Sequence, residues 1–216
     1  MGLEDSSPVA EADPAALVAL VVAWDEAVVG LANRGWAMIP NALDGDVLRA
    51  VTHDDRRQWR LLGDEGVVRQ HAYGAYLPLA EALPEVRSLA AALVADLSTA
   101  TVRAGLPKLP ELNEVTWGRY PAGVGGISAH RDPDAYGGVI AVFTLWGRAT
   151  FRILDGGYVA AEWDTGPGQL ALLRGRGRPC ADSVCPVHEA VPPAVGDRGI
   201  MTFRHNLSGA GAGYTV

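Results

Sequence analysis

The sequence predicts an α+β fold in which helices from the first half of the chain support a jelly roll or sandwich of strands from the second half. Apolar residues recur at helical spacing in the first half, whereas short apolar runs alternate with Gly and Pro turns from Leu112 onward. With 216 residues and 49% hydrophobic content, the chain can bury one substantial core. We therefore expect a single domain, residues 1–216.

The first half predicts three helices and a short strand. The first helix is expected over 13–33, with Asp-Pro at its start and Gly35 at its end. An apolar strand over 36–40 follows, and then a second helix over 44–59 that begins at an aspartate cap. The third helix, 84–104, has its apolar residues at helical spacing and is closed by Gly and Pro.

The division of the domain follows from these elements. Residues 1–12 are expected to be disordered, and 13–111 to form a mostly helical buttress that includes a covering segment. Residues 112–206 are expected to form the jelly-roll core that carries the candidate site, and 207–216 to form a tail.

His130 and Asp132 are separated by a single residue, which suggests a metal site. In an extended strand, residues i and i+2 project to the same face, so this imidazole and this carboxylate can reach one ion while Arg131 points away. His188 is the third candidate ligand, supplied by another strand. Two imidazoles and one carboxylate are the ligand set of the facial-triad Fe(II) sites. A His-x-Asp triplet also arises by chance, so the neighbouring motifs decide.

An alternating stretch near the C-terminus predicts a strand with two guanidiniums on one face. One face carries Arg198, Ile200, Thr202 and Arg204, and the other carries Met201 and Phe203. Inward-facing arginines need anionic partners, and a dicarboxylate would satisfy both. The alternative is a solvated polar face on which Arg198 bridges Asp197 or Glu189.

In its second half the chain resembles the Fe(II)/2-oxoglutarate-dependent oxygenases, and within them the AlkB-like branch. The resemblance covers 113–206 and rests on the order and spacing of several motifs. These are GRYPAG (118–123), SAHRD (128–132), VFTLWG (142–147) with ATF (149–151), VHEAV (187–191) and RGIMTFR (198–204). It implies a double-stranded β-helix core, also called a jelly-roll or cupin-like core. It further implies Fe(II) as the metal, with 2-oxoglutarate and O2 as co-substrates.

The resemblance also implies a role for each matching residue. His130, Asp132 and His188 would ligate the iron and form the catalytic centre. Tyr120 and Arg198 would hold the distal carboxylate of 2-oxoglutarate, and a further cofactor-binding residue, Arg204, would lie near its metal-chelating end.

Two positions depart from the AlkB pattern. AlkB proteins carry an Asn two residues before the tyrosine and another within the final arginine motif, whereas this chain has Gly118 and Ile200. The co-substrate contacts therefore cannot be copied as a set. Asp132 argues against halogenation, because related halogenases replace the acidic ligand with a small residue.

Substrate contacts are predicted in two places. The polar and aromatic segment 67–76 precedes the core and would help to cover the metal mouth, so Arg69, His71 and Tyr73 are candidates. An ordinary surface loop is the alternative. Trp117 and Arg119 flank the glycine of the GRY motif and are further candidates, although a Trp is more often a core residue.

Charge and composition address partners and location. The net charge of −7 and the pI of about 5.2 give no overall basic footprint of the kind that nucleic-acid binders show. The only local basic cluster is RGRGR (174–178), for which a solvated loop is the alternative. The N-terminus lacks the features of a secretory signal and the apolar run after it is too short for a membrane span, so we expect a cytoplasmic protein. Cys180 and Cys185 are then expected to be free thiols, with a disulfide or metal clip as the alternatives.

Three functions are compatible with these observations. The first is an Fe(II)/2-oxoglutarate dioxygenase that hydroxylates a small molecule, such as an amino acid derivative or natural-product intermediate, releasing succinate and CO2. The second is an AlkB-like oxidative demethylase of alkylated nucleic acid. The third is a non-catalytic cupin-like metal-binding protein, which would have no need for the two arginines.

Overall fold

The computed structural model describes residues 20, 22–52, 57–64, 68–177 and 185–210. The helices are α1 (Trp24–Arg34), α2 (Gly45–Thr52) and α3 (Pro84–Arg103), with a 3-10 turn at Leu79–Glu81. The strands are β1 (Trp36–Ile39), β2 (Arg60–Leu62), β3 (Gln70–Pro78), β4 (Glu114–Tyr120), β5 (Gly126–His130), β6 (Tyr136–Trp146), β7 (Ala149–Asp155), β8 (Tyr158–Thr165), β9 (Leu170–Arg174), β10 (Val187–Ala190) and β11 (Arg198–Asn206). None of the described helices is long and apolar enough to cross a membrane.

The strands form one antiparallel sheet that folds over on itself. Ten strands follow the order β1-β9-β6-β11-β4-β3-β5-β10-β7-β8, and β2 pairs with β3 beside this path. The fold-over occurs at β3, which pairs with β4 along most of its length and with β5 at its start. Trp36 of β1 and Trp163 of β8 meet edge to face with 4.9 Å between ring centroids, so the two ends of the path approach each other. The jelly-roll prediction is confirmed.

The larger layer of the sheet has an outer core beneath the helices. Strands β4, β6, β9 and β11 contribute fully buried side chains to it, among them Trp117, Phe143, Met201 and Phe203. Helix α3 contributes Leu89, Leu93 and Leu97, which recur at helical spacing. The helices therefore act as the predicted buttress, and they leave the opposite face of the same strands free to line the interior.

The interior lies between the two layers. Its apolar part contains Ile140 of β6, Phe151 and Ile153 of β7, Leu173 of β9 and Ala190 of β10. Because side chains alternate along a strand, the even-numbered residues of β11 and β4 face this interior. Their odd-numbered neighbours point the other way, and the apolar ones among them, such as Trp117 and Phe203, enter the outer core. The candidate site is built on this inner surface.

Two predicted helices are shorter in the structure. Helix α1 begins at Trp24, since residues 22 and 23 are not helical, while 13–19 lie outside the described residues. Helix α2 has the predicted cap, because the Asp44 carboxylate accepts hydrogen bonds from two backbone N–H groups at 2.9 Å. Residues 53–56 of the predicted helix lie outside the described residues, and 57–59 are not helical but lead into β2, which pairs with the edge of β3.

The segment 67–76, expected as a covering loop, contains most of strand β3. The sequence hid this strand because two of its buried positions are Ala72 and Gly74, which give no hydrophobic alternation to detect. Pairing on both sides, with β4 and β5, determines its conformation instead.

Candidate metal centre

Two adjacent strands bring the predicted metal ligands together. His130 of β5 and His188 of β10 are direct cross-strand partners, and their ring centroids lie 4.3 Å apart. Asp132 lies two residues beyond the end of β5 rather than within it, so its approach depends on the chain turning after the strand. One ligand atom from each of the three residues lies within 4.8 Å of the other two.

Backbone carbonyls orient both imidazoles. The Nδ1 atom of His130 lies 2.8 Å from the carbonyl oxygen of Ser128, and Nδ1 of His188 lies 3.3 Å from that of Pro186. A ring nitrogen facing a carbonyl must carry the proton, which leaves the Nε2 lone pair available to a metal. Nε2 of His188 is 3.5 Å from a carboxylate oxygen of Asp132, as expected for atoms that face one ion.

Burial keeps this centre in the form that binds metal. Desolvation lowers the pKa of His188 to about 4, although the carboxylate of Asp132 acts in the opposite direction. The imidazole is therefore neutral at pH 7. Nearby, burial and the charge of Asp132 raise the pKa of the Cys185 thiol to about 11, so in the metal-free protein this thiol is protonated at neutral pH. Cys180 lies outside the described residues.

Arg198 is a buried cation on the same inner surface. It is 3% exposed, it lies opposite Tyr120 of β4, and it donates a hydrogen bond of 3.2 Å to the Thr144 hydroxyl. Its Nε is buried without a hydrogen-bond partner, and no carboxylate of the described residues forms an ion pair with it. Burial lowers its pKa to about 10, so it remains charged at neutral pH. A buried positive charge without an ion-pair partner is unfavourable, and an anionic ligand would compensate it.

Thr144 is a candidate site residue that the sequence reasoning missed. It is 2% exposed on the inner face of β6, beside Ile200 of β11. Its hydroxyl oxygen accepts from Arg198, while the hydroxyl proton has no acceptor among the described residues. The available signal was a single polar residue in phase with Ile140 and Val142 on a strand whose other residues are almost all apolar or glycine.

Arg204 differs from Arg198 in its surroundings. It lies on the same face of β11, six residues further along, and forms an ion pair of 3.4 Å with the buried carboxylate of Glu114. Its positive charge helps to lower the pKa of His188, which places it near the metal ligands. Arg204 therefore lies close enough to His188 to act on its charge and has a carboxylate partner of its own, while its contact with the co-substrate stays a prediction.

The two departures from the AlkB pattern are neighbours in space. Gly118 and Ile200 are direct cross-strand partners, and a Cβ placed on Gly118 would lie 3.0 Å from Cγ1 of Ile200. Where the AlkB pattern has two amides, this chain has one isoleucine that fills the space over a glycine. This makes the wall beside Tyr120 and Arg198 apolar.

Two predicted substrate contacts are corrected by the alternation of β4. Trp117 and Arg119 lie on the opposite face from Gly118 and Tyr120. Trp117 is fully buried in the outer core, and Arg119 forms an exposed ion pair of 2.6 Å with Asp197. Neither side chain faces the metal ligands.

The substrate contacts predicted on β3 fall on its wrong face. Tyr73 is the cross-strand partner of Arg119 and shares its outward direction, and His71 points the same way two residues earlier. Both are exposed, so the prediction is corrected for them. Arg69 precedes the strand, its backbone N–H donates to the Ser128 hydroxyl, and with His71 it lines an open groove of about 380 Å³. For Arg69 substrate contact stays a prediction.

The inner face of β3 carries other residues. Gln70 pairs with Ile127, which packs into the inner core, and Tyr76 pairs with Thr116 on the inner face of β4. Both are partly buried. The sequence contained the signal for these two, but it can be used only after β3 is recognised as a strand.

Comparison with solved structures identifies this arrangement of strands. A prolyl-4-hydroxylase from Pseudomonas putida superposes with a TM-score of 0.62 at 22% identity, covering 85% of this chain and 98% of the other. A 2OG-Fe(II) oxygenase-family oxidoreductase from Burkholderia pseudomallei gives 0.57 at 17% identity, with coverages of 88% and 94%. The structure of OsALKBH1 gives 0.57 at 15% identity, with coverages of 79% and 98%.

The chain has the fold of the 2-oxoglutarate/Fe(II) oxygenases. No protein-family model and no curated protein sequence matches it. The neighbours include both a prolyl hydroxylase and OsALKBH1, so the fold does not separate the AlkB-like branch from the others.

Proposed function

We propose that this protein is an Fe(II)- and 2-oxoglutarate-dependent dioxygenase that hydroxylates a C–H bond of a small-molecule substrate. Arg198 is the observation that carries the proposal. Its buried guanidinium, which has no carboxylate partner in the part of the chain that the structure describes, shares the inner surface with a cluster of two imidazoles and one carboxylate. A dicarboxylate that chelates a metal through one end and reaches Arg198 with the other satisfies both features.

The residues present fit Fe(II). Two imidazoles, each with its Nδ1 atom facing a backbone carbonyl, and one carboxylate make a mixed nitrogen and oxygen donor set, which is the set of non-haem iron oxygenases. When bound, Fe(II) with 2-oxoglutarate would supply the activation of O2 that oxidises the substrate. His130, Asp132 and His188 would hold the metal.

The chain itself contributes binding, orientation and exclusion of water. Arg198 would bind the distal carboxylate through its unpaired Nε, and the Thr144 hydroxyl would orient Arg198 while directing its own proton to the same carboxylate. The Cζ atom of Arg198 lies 5.9 Å from the centroid of the Tyr120 ring, so Tyr120 would line the co-substrate site on that side. The ring centroid of the buried Phe151 lies 5.7 Å from that of His188, so Phe151 would shield one side of this imidazole from water.

A small molecule, such as an amino acid derivative or a natural-product intermediate, is the substrate class that we favour. The net charge of −7 opposes binding to a phosphate backbone, whose neutralisation supplies most of the affinity of nucleic-acid binders. Gln70 and Tyr76, on the inner face of β3, are the side chains that we assign to substrate contact in place of His71 and Tyr73.

Oxidative demethylation of alkylated nucleic acid is the second candidate. The order and spacing of the motifs support it, and so does the structural likeness to OsALKBH1. Against it stand the acidic charge and the apolar pair that replaces two amides of the AlkB pattern. A non-catalytic metal-binding protein is less consistent with the site, because such a protein has no use for a buried and unpaired Arg198.

An anaerobic titration tests the proposal. Purified protein with Fe(II) and 2-oxoglutarate should develop the weak visible charge-transfer band of their chelate, and Arg198→Met should require much more 2-oxoglutarate. A folded, iron-loaded protein without this band would refute the co-substrate. Succinate release across panels of amino acid derivatives and methylated oligonucleotides then decides between the two substrate classes.

A further inference from the structure

Glu114 places a buried negative charge in the wall of the candidate site. It is the first residue of β4 and is 0% exposed. One carboxylate oxygen accepts a hydrogen bond of 2.9 Å from the side-chain amide of Asn206, and the other lies 3.4 Å from Arg204. A carboxylate so deeply buried is tolerated only with such compensation.

Arg204 is held from several sides at once. The nitrogen that faces Glu114 also lies 3.3 Å from the hydroxyl of Thr116 and 3.4 Å from that of Tyr136. Its guanidinium carbon stacks 4.6 Å from the centroid of the Tyr136 ring. Three strands, β4, β6 and β11, therefore fix this side chain in the wall.

The two arginines of β11 thus differ in what they offer a ligand. Among the described residues no carboxylate forms an ion pair with Arg198, whereas the charge of Arg204 is already balanced by Glu114. To bind a dicarboxylate as well, Arg204 would have to leave Glu114. The fully buried carboxylate would then lose the positive charge that compensates it, which is unfavourable.

The charges of the loaded site support the same assignment. A divalent metal and the dianionic co-substrate cancel each other, and Asp132 cancels Arg198. With Glu114 paired to Arg204, the remaining charge of the wall is zero, which is the least costly state for a buried site. Without Glu114 the loaded site would carry one excess positive charge.

We propose that Glu114 is a positioning residue that keeps Arg204 in the wall as an internal ion pair and leaves Arg198 as the arginine that takes the distal carboxylate. This inference rests on the proposed function, since it concerns the dicarboxylate co-substrate. It assigns to Arg204 a different role from the direct contact that the sequence resemblance implies.

Four proteins test the inference: wild type, Glu114→Gln, Arg204→Met, and the double variant Glu114→Gln/Arg204→Met. Each is loaded with Mn(II), which avoids turnover, and 2-oxoglutarate binding is measured by calorimetry and by the shift in the midpoint of thermal unfolding. Glutamine keeps the shape of Glu114 and its contact with Asn206, and methionine keeps much of the length of Arg204.

Opposite signs are expected for the two single variants. Glu114→Gln should be less stable without ligand but bind 2-oxoglutarate about threefold or more tightly, because an uncompensated cation gains from a nearby dianion. Arg204→Met should weaken binding, because the uncompensated carboxylate repels the ligand. The double variant should bind within about threefold of wild type, because a neutral pair has been replaced by neutral residues.

If Glu114 served only to maintain the fold, Glu114→Gln would bind 2-oxoglutarate no more tightly than the wild type. Unchanged or weaker 2-oxoglutarate binding by folded Glu114→Gln would overturn the inference. Should either single variant fail to fold, the double variant decides, and a loss of binding well beyond threefold would show that Arg204 is a direct ligand. If the wild-type protein binds no 2-oxoglutarate, the proposed function is wrong and this inference is wrong with it.

Discussion

His130 and His188 are direct cross-strand partners, and the backbone carbonyl two residues before each ring faces its Nδ1 atom. The same local geometry therefore recurs on two antiparallel strands and directs both Nε2 atoms to one point. Asp132 reaches this point from the turn after β5. The metal centre depends on the pairing of β5 with β10 as much as on the identity of its ligands.

Loss of any metal ligand should abolish the site while preserving the fold. We expect His130→Ala and Asp132→Ala to lower metal affinity at least about a hundredfold, because two ligands cannot reproduce a facial triad. Metal content after equilibrium dialysis and substrate-driven succinate release measure this. His71→Ala is the matched control, since this exposed imidazole lies on the outer face of β3, and it should retain metal and activity.

The stability of the metal-free protein should fall in mild acid. Folding lowers the pKa of His188 from 6.5 to about 4, so the unfolded chain binds the proton more readily than the native state. This contribution is fully present above pH 6.5 and is lost as the pH falls toward 4, on the order of 3 kcal/mol in all. Urea unfolding between pH 7.5 and 4.5 measures it, and His188→Gln should show a smaller dependence on pH. Equal slopes for the two proteins would contradict the assignment.

Thr144 should matter to dicarboxylates and not to monocarboxylates. Thr144→Val keeps the shape of the side chain and removes the hydroxyl that orients Arg198, so the affinity for 2-oxoglutarate should fall about tenfold. Thr144→Ser should restore most of this affinity. A 2-oxo acid that lacks the distal carboxylate, such as 2-oxopentanoate, should bind the metal-loaded wild type and Thr144→Val equally. A loss for both ligands would point to general disruption of the pocket.

Trp117 should contribute to stability and not to ligand binding. It is fully buried between β4 and the helices, so Trp117→Leu should destabilise the fold by about 2–4 kcal/mol through loss of packing. The affinity of the folded variant for 2-oxoglutarate should remain within about twofold of wild type, because the side chain faces away from the site. Denaturant unfolding measures the change in stability, and calorimetry measures the affinity. A loss of 2-oxoglutarate affinity without a loss of stability would show that Trp117 does contribute to the binding site.

The sequence predicted the parts of the site that depend on strand periodicity and chain order. The alternation over 198–204 placed Arg198 and Arg204 on the inner face correctly, because Met201 and Phe203 are unmistakably apolar and mark the other face. The same reasoning failed for β3, because its inner face carries alanine and glycine and shows no hydrophobic alternation. The polar residues predicted to contact the substrate lie on its outer face.

The hydrogen-bond and ion-pair partners of the polar site residues could not be predicted from the sequence. Glu114 lies far from Arg204 along the chain, and only the pairing of β4 with β11 brings the carboxylate to the guanidinium. Thr144 likewise becomes part of the arginine site through the pairing of β6 with β11. The register between strands that are distant along the chain determines which charged groups have a partner within the protein and which can bind a ligand. A single sequence does not specify this register.

Gly118 and Ile200 should behave as a coupled pair. A side chain on Gly118 would meet Ile200 at 3.0 Å and the ring of Tyr120 at 3.2 Å, so Gly118→Asn alone should destabilise the protein by about 1–3 kcal/mol through overpacking. Ile200→Asn alone should cost a comparable amount, because it leaves an amide in an apolar wall without a partner. The double variant places two amides opposite each other, as in the AlkB pattern, so its cost should be clearly smaller than the sum of the two. Unfolding in urea of the four proteins gives the coupling energy, and strict additivity would show that the two positions do not share one space.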